Sequence, residues 1–255
     1  MKINRSVSKL NALMRVQFLP SDYSYPHLEP TAEKIADFLF TYRSQFRDFC
    51  DFMRISSTWT LNNYKDKLQR WSNAKAPNRK KAAPDTLQLI DLTHEFFSVC
   101  QNEDDRKKMR GLVPEKLFEK VFCLRHSGKK GVFGYGVIVV IDGKPVKYVP
   151  SFPYETKDDS DVYRQTVDAG FWDGEAGEFA EVKFSPEAFH TKDIKYLRLL
   201  VDQLKNAGLN HSVFLVCFDQ KELIRFKLQR LGLWEKGEPF YLIGRDELFQ
   251  WAMSF

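Results

Sequence analysis

The sequence predicts an α/β fold in which a mixed β-sheet is flanked by helices and preceded by a mainly helical N-terminal region. Between Thr31 and Val99 the apolar residues recur mostly at helical spacing, whereas later apolar residues fall in short β-branched or alternating runs bounded by turn residues. From residue 112 onward the predicted order is α-β-β-β-β-α-β-α, which is typical of a sheet with helices on its faces. We therefore expect a helical region at 1–111 and a second domain at 112–255.

Composition sets limits on the class of protein. The chain has 255 residues, of which 43% are hydrophobic and 15% aromatic, so a substantial core can form. No apolar run approaches the length needed to cross a bilayer, and the N-terminus lacks the features of a signal peptide, so we expect a cytoplasmic protein without a membrane partner. The net charge of +5 is compatible with a polyanionic partner. The cysteines and histidines show neither CxxC nor HxxxH spacing, which argues against zinc and disulfide frameworks.

The first region is predicted to begin with a short strand around Met14–Leu19. A helix starting at Thr31 extends through Phe49, a second covers Thr58–Ser72, and a third runs from Asp85 or Thr86 to Val99. Residues 73–85 are expected to form an exposed basic connector, and the polar stretch 101–111 to mark the domain boundary.

The second region opens with a helix whose first turn contains Pro114. The β-branched run Gly134–Ile141 is followed by Asp142-Gly143, the strongest hairpin signal in the chain, and by a partner strand at Lys144–Val149. The remaining predicted elements are a helix at Thr191–Asn206, a fully buried strand at Ser212–Phe218, a helix at Lys221–Leu231 and a last strand at Phe240–Ile243.

The central stretch Arg164–Phe184 is predicted to form two strands joined by a glycine-bearing turn. Side chains alternate along a strand, so Glu181 and Lys183 share one face of the second strand. If Ala169 lies opposite Ala180 or Val182, Asp168 falls beside Glu181 or Lys183. Two carboxylates and an ammonium would then meet on one side of the sheet.

Two carboxylates and an ammonium in this arrangement could bind a divalent metal ion and act on a phosphate. Carboxylates close together in apolar surroundings are costly unless a cation neutralises them, and hard oxygen ligands suit Mg²⁺ or Mn²⁺. Lys183, two residues after Glu181, points into the same place and can stabilise charge on a phosphorane-like transition state. The pattern favours phosphodiester hydrolysis.

Asp168 followed by Glu181-Val182-Lys183 resembles the D…(D/E)xK signature of the restriction-endonuclease-like, or PD-(D/E)xK, nuclease superfamily. The resemblance covers roughly residues 112–231 and implies an α-β-β-β-α-β core, with the acid on the second strand and the ExK triplet on the third. It implies a metal-dependent DNA endonuclease of a restriction, mobile-element or defence type. The residue before Asp168 is Val167 and not proline, a departure from the motif.

The resemblance also implies residue roles. Asp168 and Glu181 would bind Mg²⁺ or Mn²⁺, the Val182 carbonyl would complete the site, and Lys183 would assist the nucleophile. An auxiliary acid is expected on the preceding helix, and a Gln or Lys on the following one. The residues at these two places are Glu115 or Glu119, and Lys195.

Alternative interpretations accompany these roles. Glu181 and Lys183 could form a surface ion pair, and Glu115 with Glu119 an exposed helical pair. The basic run of Arg79, Lys80 and Lys81 fits either a solvated linker or a contact to DNA phosphates.

Partners and alternative functions also follow. Nucleic acid, above all DNA, is the expected partner, and double-strand cutting by a single-site nuclease usually suggests a homodimer or partner proteins in a larger complex. A catalytically inactive nuclease-like module that binds nucleic acid or protein is the competing function. A purely structural interaction domain is the third.

Overall fold

A computed structural model describes residues 12–21, 24–150 and 163–254. By their internal contacts these residues form two compact units. The helical unit comprises residues 24–121, and the sheet unit comprises the described residues before 24 and after 121. The chain therefore enters the sheet unit, leaves it for the helical unit, and returns.

Five α-helices begin in the helical unit, and the fifth continues into the sheet unit. Their bounds are Glu29–Thr41 (α1), Phe46–Ile55 (α2), Tyr64–Lys75 (α3), Pro84–Ser98 (α4) and Glu103–Arg125 (α5). Short 3-10 turns occupy Arg43–Gln45 and Ser56–Thr58. Proline stands at the first or second position of α1 and α4, where its missing N–H removes no helical hydrogen bond.

The prediction of one continuous helix from Thr31 through Phe49 is wrong, because the chain breaks at Tyr42. This residue has φ −105° and ψ 68°, outside the helical region, and α2 starts only after a 3-10 turn. Apolar residues keep helical spacing across the break, since Phe38 and Phe46 are both buried. Periodicity alone therefore did not reveal the change of direction.

The polar stretch 101–111, predicted to mark the domain boundary, contains the start of a helix. Glu103, Asp104 and Asp105 form the first turn of α5, where negative charge is stabilised by the helix dipole. Glu103 also pairs with Arg106 one turn later, at 2.6 Å. Pro114 consequently lies inside α5 and not in its first turn. The compact units divide after residue 121, not at 111.

Aromatic side chains form the core of the helical unit. Phe52 is fully buried and its ring contacts five other rings at centroid distances between 5.1 and 6.2 Å. The five are Phe49, Trp59, Trp71, Phe96 and Phe97. All five are buried, so these rings supply core residues of the helical unit.

The sheet unit contains a seven-stranded mixed sheet flanked by helices. The strands are Val16–Pro20 (β1), Val132–Ile141 (β2), Lys144–Pro145 (β3), Thr166–Trp172 (β4), Ala176–Lys183 (β5), Asn210–Cys217 (β6) and Phe240–Ile243 (β7). The remaining helices are Thr191–Asn206 (α6), Lys221–Arg230 (α7) and Leu248–Met253 (α8), with a 3-10 turn at Pro186–Ala188.

Spatially the strands run β1-β2-β4-β5-β6-β7, with β3 paired to β2. The pairs from β1 to β5 are antiparallel, whereas β5-β6 and β6-β7 are parallel. α6 forms the crossover between the parallel strands β5 and β6 and buries Leu197, Leu200 and Leu204 in the same core cluster as Leu215 of β6. The predicted order of strands and helices in this region is confirmed.

The predicted hairpin at Asp142-Gly143 is present. Both residues have positive φ, 48° and 79°, as a type I′ turn requires. The second strand is shorter than predicted, with only Lys144–Pro145 in the ladder. Pro145 has no N–H to donate, which limits further pairing.

β1 fits the sheet because two neighbouring strands leave room for its aromatic side chain. Gly134 of β2 lies opposite Gly170 of β4. A Cβ atom added at Gly170 would come within 2.5 Å of the Phe18 ring, and one at Gly134 within 2.7 Å of Phe18 Cβ. The paired glycines therefore create the space that Phe18 fills.

No helix in the part of the chain that the structure describes is long and apolar enough to cross a membrane.

Candidate active site

The candidate site lies where β4 and β5 separate. Ala169 lies opposite Ala180, one of its two predicted partners, and this pair is the last of the ladder. The next residue along β4, Asp168, uses its side chain in place of a main-chain hydrogen bond. Its Oδ2 accepts the N–H of Val182 at 2.7 Å. This bond fixes the Asp168 carboxylate against β5.

Glu181 and Lys183 of β5 complete the predicted group. Lys183 Nζ donates to Glu181 Oε1 and lies 3.7 Å from Asp168 Oδ2. The predicted convergence of Asp168, Glu181 and Lys183 is therefore observed. Their catalytic and metal-binding roles stay predictions.

Arg164 also belongs to the group, although no sequence motif assigns it a role. Its Nη2 donates to Glu181 Oε1 at 2.6 Å and Oε2 at 2.5 Å, and its Nη1 donates to Asp193. An isolated antiparallel bridge with Tyr148 holds the Arg164 backbone, with N···O distances of 2.8 and 3.1 Å. The alternation of side chains along an extended chain could have indicated this position, because Arg164 and Asp168 are an even number of residues apart and therefore share a face.

Asp193 is positioned by the start of α6. Its Oδ2 accepts the N–H of His190 at 2.9 Å in a capping box, which leaves Oδ1 for Arg164. One turn further along, the Tyr196 hydroxyl donates to the carbonyl of Gln165, the residue after Arg164, at 3.2 Å. The N-terminus of α6 is thus connected both to the Arg164 side chain and to the adjoining backbone.

The group is buried and carries an excess of negative charge. Glu181 is 0% exposed and Asp193 1%, while the Asp168 and Lys183 side chains retain 13% and 19% exposure. Three carboxylates and two cations give −3 + 2 = −1 when all are ionised. Burial raises the pKa of Glu181 to about 7; Arg164 opposes the rise and the nearby Asp168 carboxylate adds to it.

The two cations respond differently to the same surroundings. Burial by itself lowers the pKa of Lys183, but the carboxylates of Asp168 and Glu181 outweigh burial and raise that pKa above its ordinary value of 10.5. Burial likewise acts against Arg164, and Glu181 with Asp193 raises its pKa. Both side chains are therefore charged at neutral pH.

Carboxylate oxygens, which Asp168 and Glu181 provide, are suitable ligands for a hard divalent cation. Among the described residues no group of three or more His, Cys, Asp or Glu side chains could hold a metal ion. Mg²⁺, however, is commonly bound through one or two carboxylates, with waters and substrate phosphates as the other ligands. Asp168 and Glu181 supply two carboxylates on adjacent strands. Both Glu181 oxygens already accept hydrogen bonds from Arg164.

Among the other predicted site residues, Val182 touches this group through its backbone N–H, which donates to Asp168. Val182 lies opposite Val216 in the β5-β6 ladder, and the role of its carbonyl stays a prediction. Lys195 of α6 places its Nζ 5.7 Å from the centre of the Tyr148 ring. Glu119 belongs to the helical unit, where Lys116 Nζ donates to it at 2.9 and 3.1 Å. Burial raises the pKa of Glu119.

The basic run of the helical unit forms an exposed turn. Arg79 pairs with Asp91 at 3.4 Å, with both side chains more than half exposed. The backbone N–H groups of Lys80 and Lys81 donate to Asn78, to its side chain and its carbonyl respectively. A role in nucleic-acid binding stays a prediction. Glu115 also lies on α5, in the helical unit.

A second buried glutamate lies three residues before Glu181. Arg125 donates to both oxygens of Glu178, at 2.7 and 2.8 Å, and to the carbonyls of Trp251 and Ser254. His126 Nε2 lies 3.2 Å from Glu178 Oε2. Burial acts to raise the pKa of Glu178, but the adjacent His126 ring and the hydrogen bonds from Arg125 outweigh it and lower this pKa to about 2.

The chain matches no protein-family model and no curated protein. One solved structure that it resembles is protein VC1899 from Vibrio cholerae, with a TM-score of 0.44 and 12% sequence identity. The alignment covers 95% of this chain and 59% of that chain, so this protein spans well under two thirds of the length of the structure it matches.

Proposed function

We propose that the protein is a metal-dependent nuclease that hydrolyses phosphodiester bonds, with DNA as its substrate. The observation that carries the proposal is the convergence of Asp168, Glu181 and Lys183 where β4 and β5 separate. Three charged side chains in a largely buried place are costly for stability, which is typical of functional sites.

The order of elements supports a restriction-endonuclease-like core. α5, β2, β4, β5, α6 and β6 follow one another as α-β-β-β-α-β, apart from the two-residue strand β3. β2, β4 and β5 are antiparallel neighbours, and β6 is parallel to β5. The acid then falls on the second core strand and the ExK triplet on the third, the positions that the sequence resemblance implies.

Within this proposal Asp168 and Glu181 would hold Mg²⁺ or Mn²⁺, and the bound ion would neutralise charge on the scissile phosphate. Lys183 acts as a donor and not as a base, because its raised pKa keeps the ammonium protonated at neutral pH. Its 3.7 Å separation from Asp168 places positive charge beside the carboxylates, where it can orient a nucleophile and stabilise a phosphorane-like transition state.

The exposed basic turn containing Arg79, Lys80 and Lys81 is a proposed contact for DNA phosphates. Such contacts release counterions, so DNA affinity should decrease steeply as salt increases. Duplex cleavage by a single site of this kind would require a homodimer or a partner in a larger complex.

The test is cleavage of plasmid and single-stranded DNA by the purified chain with Mg²⁺ or Mn²⁺. Wild type should cut, and Asp168→Asn and Lys183→Met should not. Arg198→Met is the matched control, because Arg198 is an arginine of the same unit whose ion pair is with Glu238 and not with a carboxylate of the group around Glu181. Equal cleavage by wild type and by Asp168→Asn would show that the active site is not at Asp168.

One observation favours a second candidate, a nuclease-like module that binds nucleic acid without cutting it. Arg164 donates to both oxygens of Glu181, so the protein supplies its own cation at the position where a catalytic metal would bind. Salt-sensitive DNA binding without cleavage in either metal would favour this module over the nuclease.

A further inference from the structure

The cation already beside Glu181 suggests how metal binding is controlled. We propose that Arg164 competes with the divalent ion for Glu181, so that the site takes up metal only when the guanidinium leaves that carboxylate. This inference rests on the proposed function, because it assumes that Asp168 and Glu181 are metal ligands.

Because of its present contacts, Glu181 can bind a metal ion only if one of its neighbouring cations leaves. Its side chain is 0% exposed and its two oxygens accept from Arg164, with Lys183 as a further donor to Oε1. A carboxylate enclosed in this way has no solvent-facing side, so an incoming cation must replace a present neighbour. The replaced neighbour is either Arg164 or Lys183.

Charge favours replacement over addition. The carboxylates of Asp168 and Glu181 are balanced by Arg164 and Lys183, so adding a divalent ion to this arrangement would give −2 + 2 + 2 = +2. If Arg164 withdraws to Asp193, with which it forms a neutral pair, the charge around Asp168 and Glu181 is −2 + 1 + 2 = +1. The smaller uncompensated charge is the cheaper arrangement in a buried place.

Arg164 is the more replaceable of the two cations. Lys183 belongs to the β5 ladder, paired with Cys217 of β6, only two residues from Glu181. Arg164 precedes β4 and is held by an isolated bridge. Its Nε is buried and has no hydrogen-bond partner among the described residues. The guanidinium is therefore incompletely satisfied in its present position.

Asp193 can hold the Arg164 guanidinium after it leaves Glu181. Its Oδ2 is held by the capping box of α6, while its Oδ1 accepts from Arg164 independently of Glu181. Arg164 can thus lose its two bonds to Glu181 and keep its ion pair with Asp193. Asp193 acts here as a positioning residue for Arg164.

The experiment measures Mn²⁺ affinity by isothermal titration calorimetry on the full chain without DNA. Arg164→Met should bind Mn²⁺ about tenfold more tightly than wild type, which corresponds to about 1.4 kcal/mol of competition removed. Arg164→Lys, which keeps the charge but not the forked geometry, should give a smaller gain. The matched control Arg198→Met should bind as wild type does.

A measurement on wild type removes any dependence on how the variants fold. In ¹⁵N-arginine-labelled protein, the side-chain signal of Arg164, assigned through Arg164→Lys, should shift on Mg²⁺ addition with the same midpoint as metal binding. The Arg198 signal should not move. Metal binding that leaves the Arg164 signal unchanged would overturn the competition.

The outcomes separate the two proposals. If wild type binds Mn²⁺ and Arg164→Met binds it no more tightly, Arg164 is not a competitor, and the nuclease proposal stands. If Asp168→Asn abolishes binding and Arg164→Met strengthens it, both stand. If neither wild type nor Arg164→Met binds metal, the metal-dependent nuclease falls and the competition falls with it.

Discussion

Glu178 and Glu181 are three residues apart on the same strand, and each accepts two hydrogen bonds from an arginine. Their pKa values nevertheless move in opposite directions from the same ordinary value of 4.5, to about 2 for Glu178 and to about 7 for Glu181. Odd spacing along a strand places the two side chains on opposite faces of the sheet. The same residue type therefore meets two different environments within one β-strand.

The neighbours explain the difference. Burial disfavours ionisation of both glutamates, but Glu178 has Arg125 as a hydrogen-bonding partner and His126 close by, and these two neighbours outweigh burial. Glu181 is completely buried and has Asp168 and Asp193 nearby, whose carboxylates add to the effect of burial. Glu178 thus has the properties of a structural ion pair, whereas Glu181 lies in a group that carries more negative charge than its own cations neutralise.

The largest contrast is expected in activity. Glu181→Gln should reduce DNA cleavage by about 10²–10³-fold, because it removes a charged ligand from the proposed site. Glu178→Gln should cleave at nearly the wild-type rate at temperatures where it is folded. Initial rates on plasmid DNA with Mg²⁺ test this, and comparable losses in the two variants would contradict the assignment of Glu181.

For stability the order of the two variants should be reversed, with the larger loss in Glu178→Gln. Glu178→Gln leaves Arg125 with 14% side-chain exposure and without its carboxylate, so a loss of about 3–5 kcal/mol in the free energy of unfolding is expected. Glu181→Gln should cost less than about 1 kcal/mol, because its ionisation is already disfavoured by burial and by neighbouring carboxylates. Urea unfolding followed by tryptophan fluorescence measures both, and equal losses would mean that the two environments do not differ as described.

The third expected contrast is the opposite dependence of stability on pH. The Glu178 contribution is present above about 4.5 and is lost as pH falls toward about 2, because the folded-state pKa is lowered. For Glu181 the folded state holds its proton more tightly than the unfolded chain, so stability falls as pH rises from about 4.5 to about 7. The difference in unfolding free energy between wild type and each glutamine variant, measured from about pH 2 to about pH 7, isolates the contribution of each glutamate. Identical pH dependence of the two differences would contradict both signs.

Local sequence rules predicted the part of the site that depends on two adjacent strands. Matching Ala169 with Ala180 set the register, and alternation then placed Asp168, Glu181 and Lys183 together. The Asp142-Gly143 hairpin was predictable for the same reason, since a type I′ turn has a strong local signature.

The rest of the site depends on contacts that no local pattern contains. Arg164 and Asp193 meet only because the α6 N-terminus packs beside the start of β4, and 29 residues separate the two in sequence. Glu178 likewise finds Arg125 across 53 residues. In the helical unit, the break at Tyr42 leaves the apolar spacing intact, and the acidic start of α5 has the composition of a linker. In each case, tertiary packing decided between alternatives that the sequence leaves equal.

The position of β1 has a consequence for synthesis on the ribosome. Among the described strands β1 is synthesised before the others, and its partner β2 reaches its last paired residue, Ile141, only after the whole helical unit has been translated. At about 5–20 residues per second, this strand waits roughly 6–24 s for its neighbour. During that interval an apolar segment containing Val16 and Phe18 is exposed in the nascent chain, where a chaperone that recognises extended apolar peptides would find it.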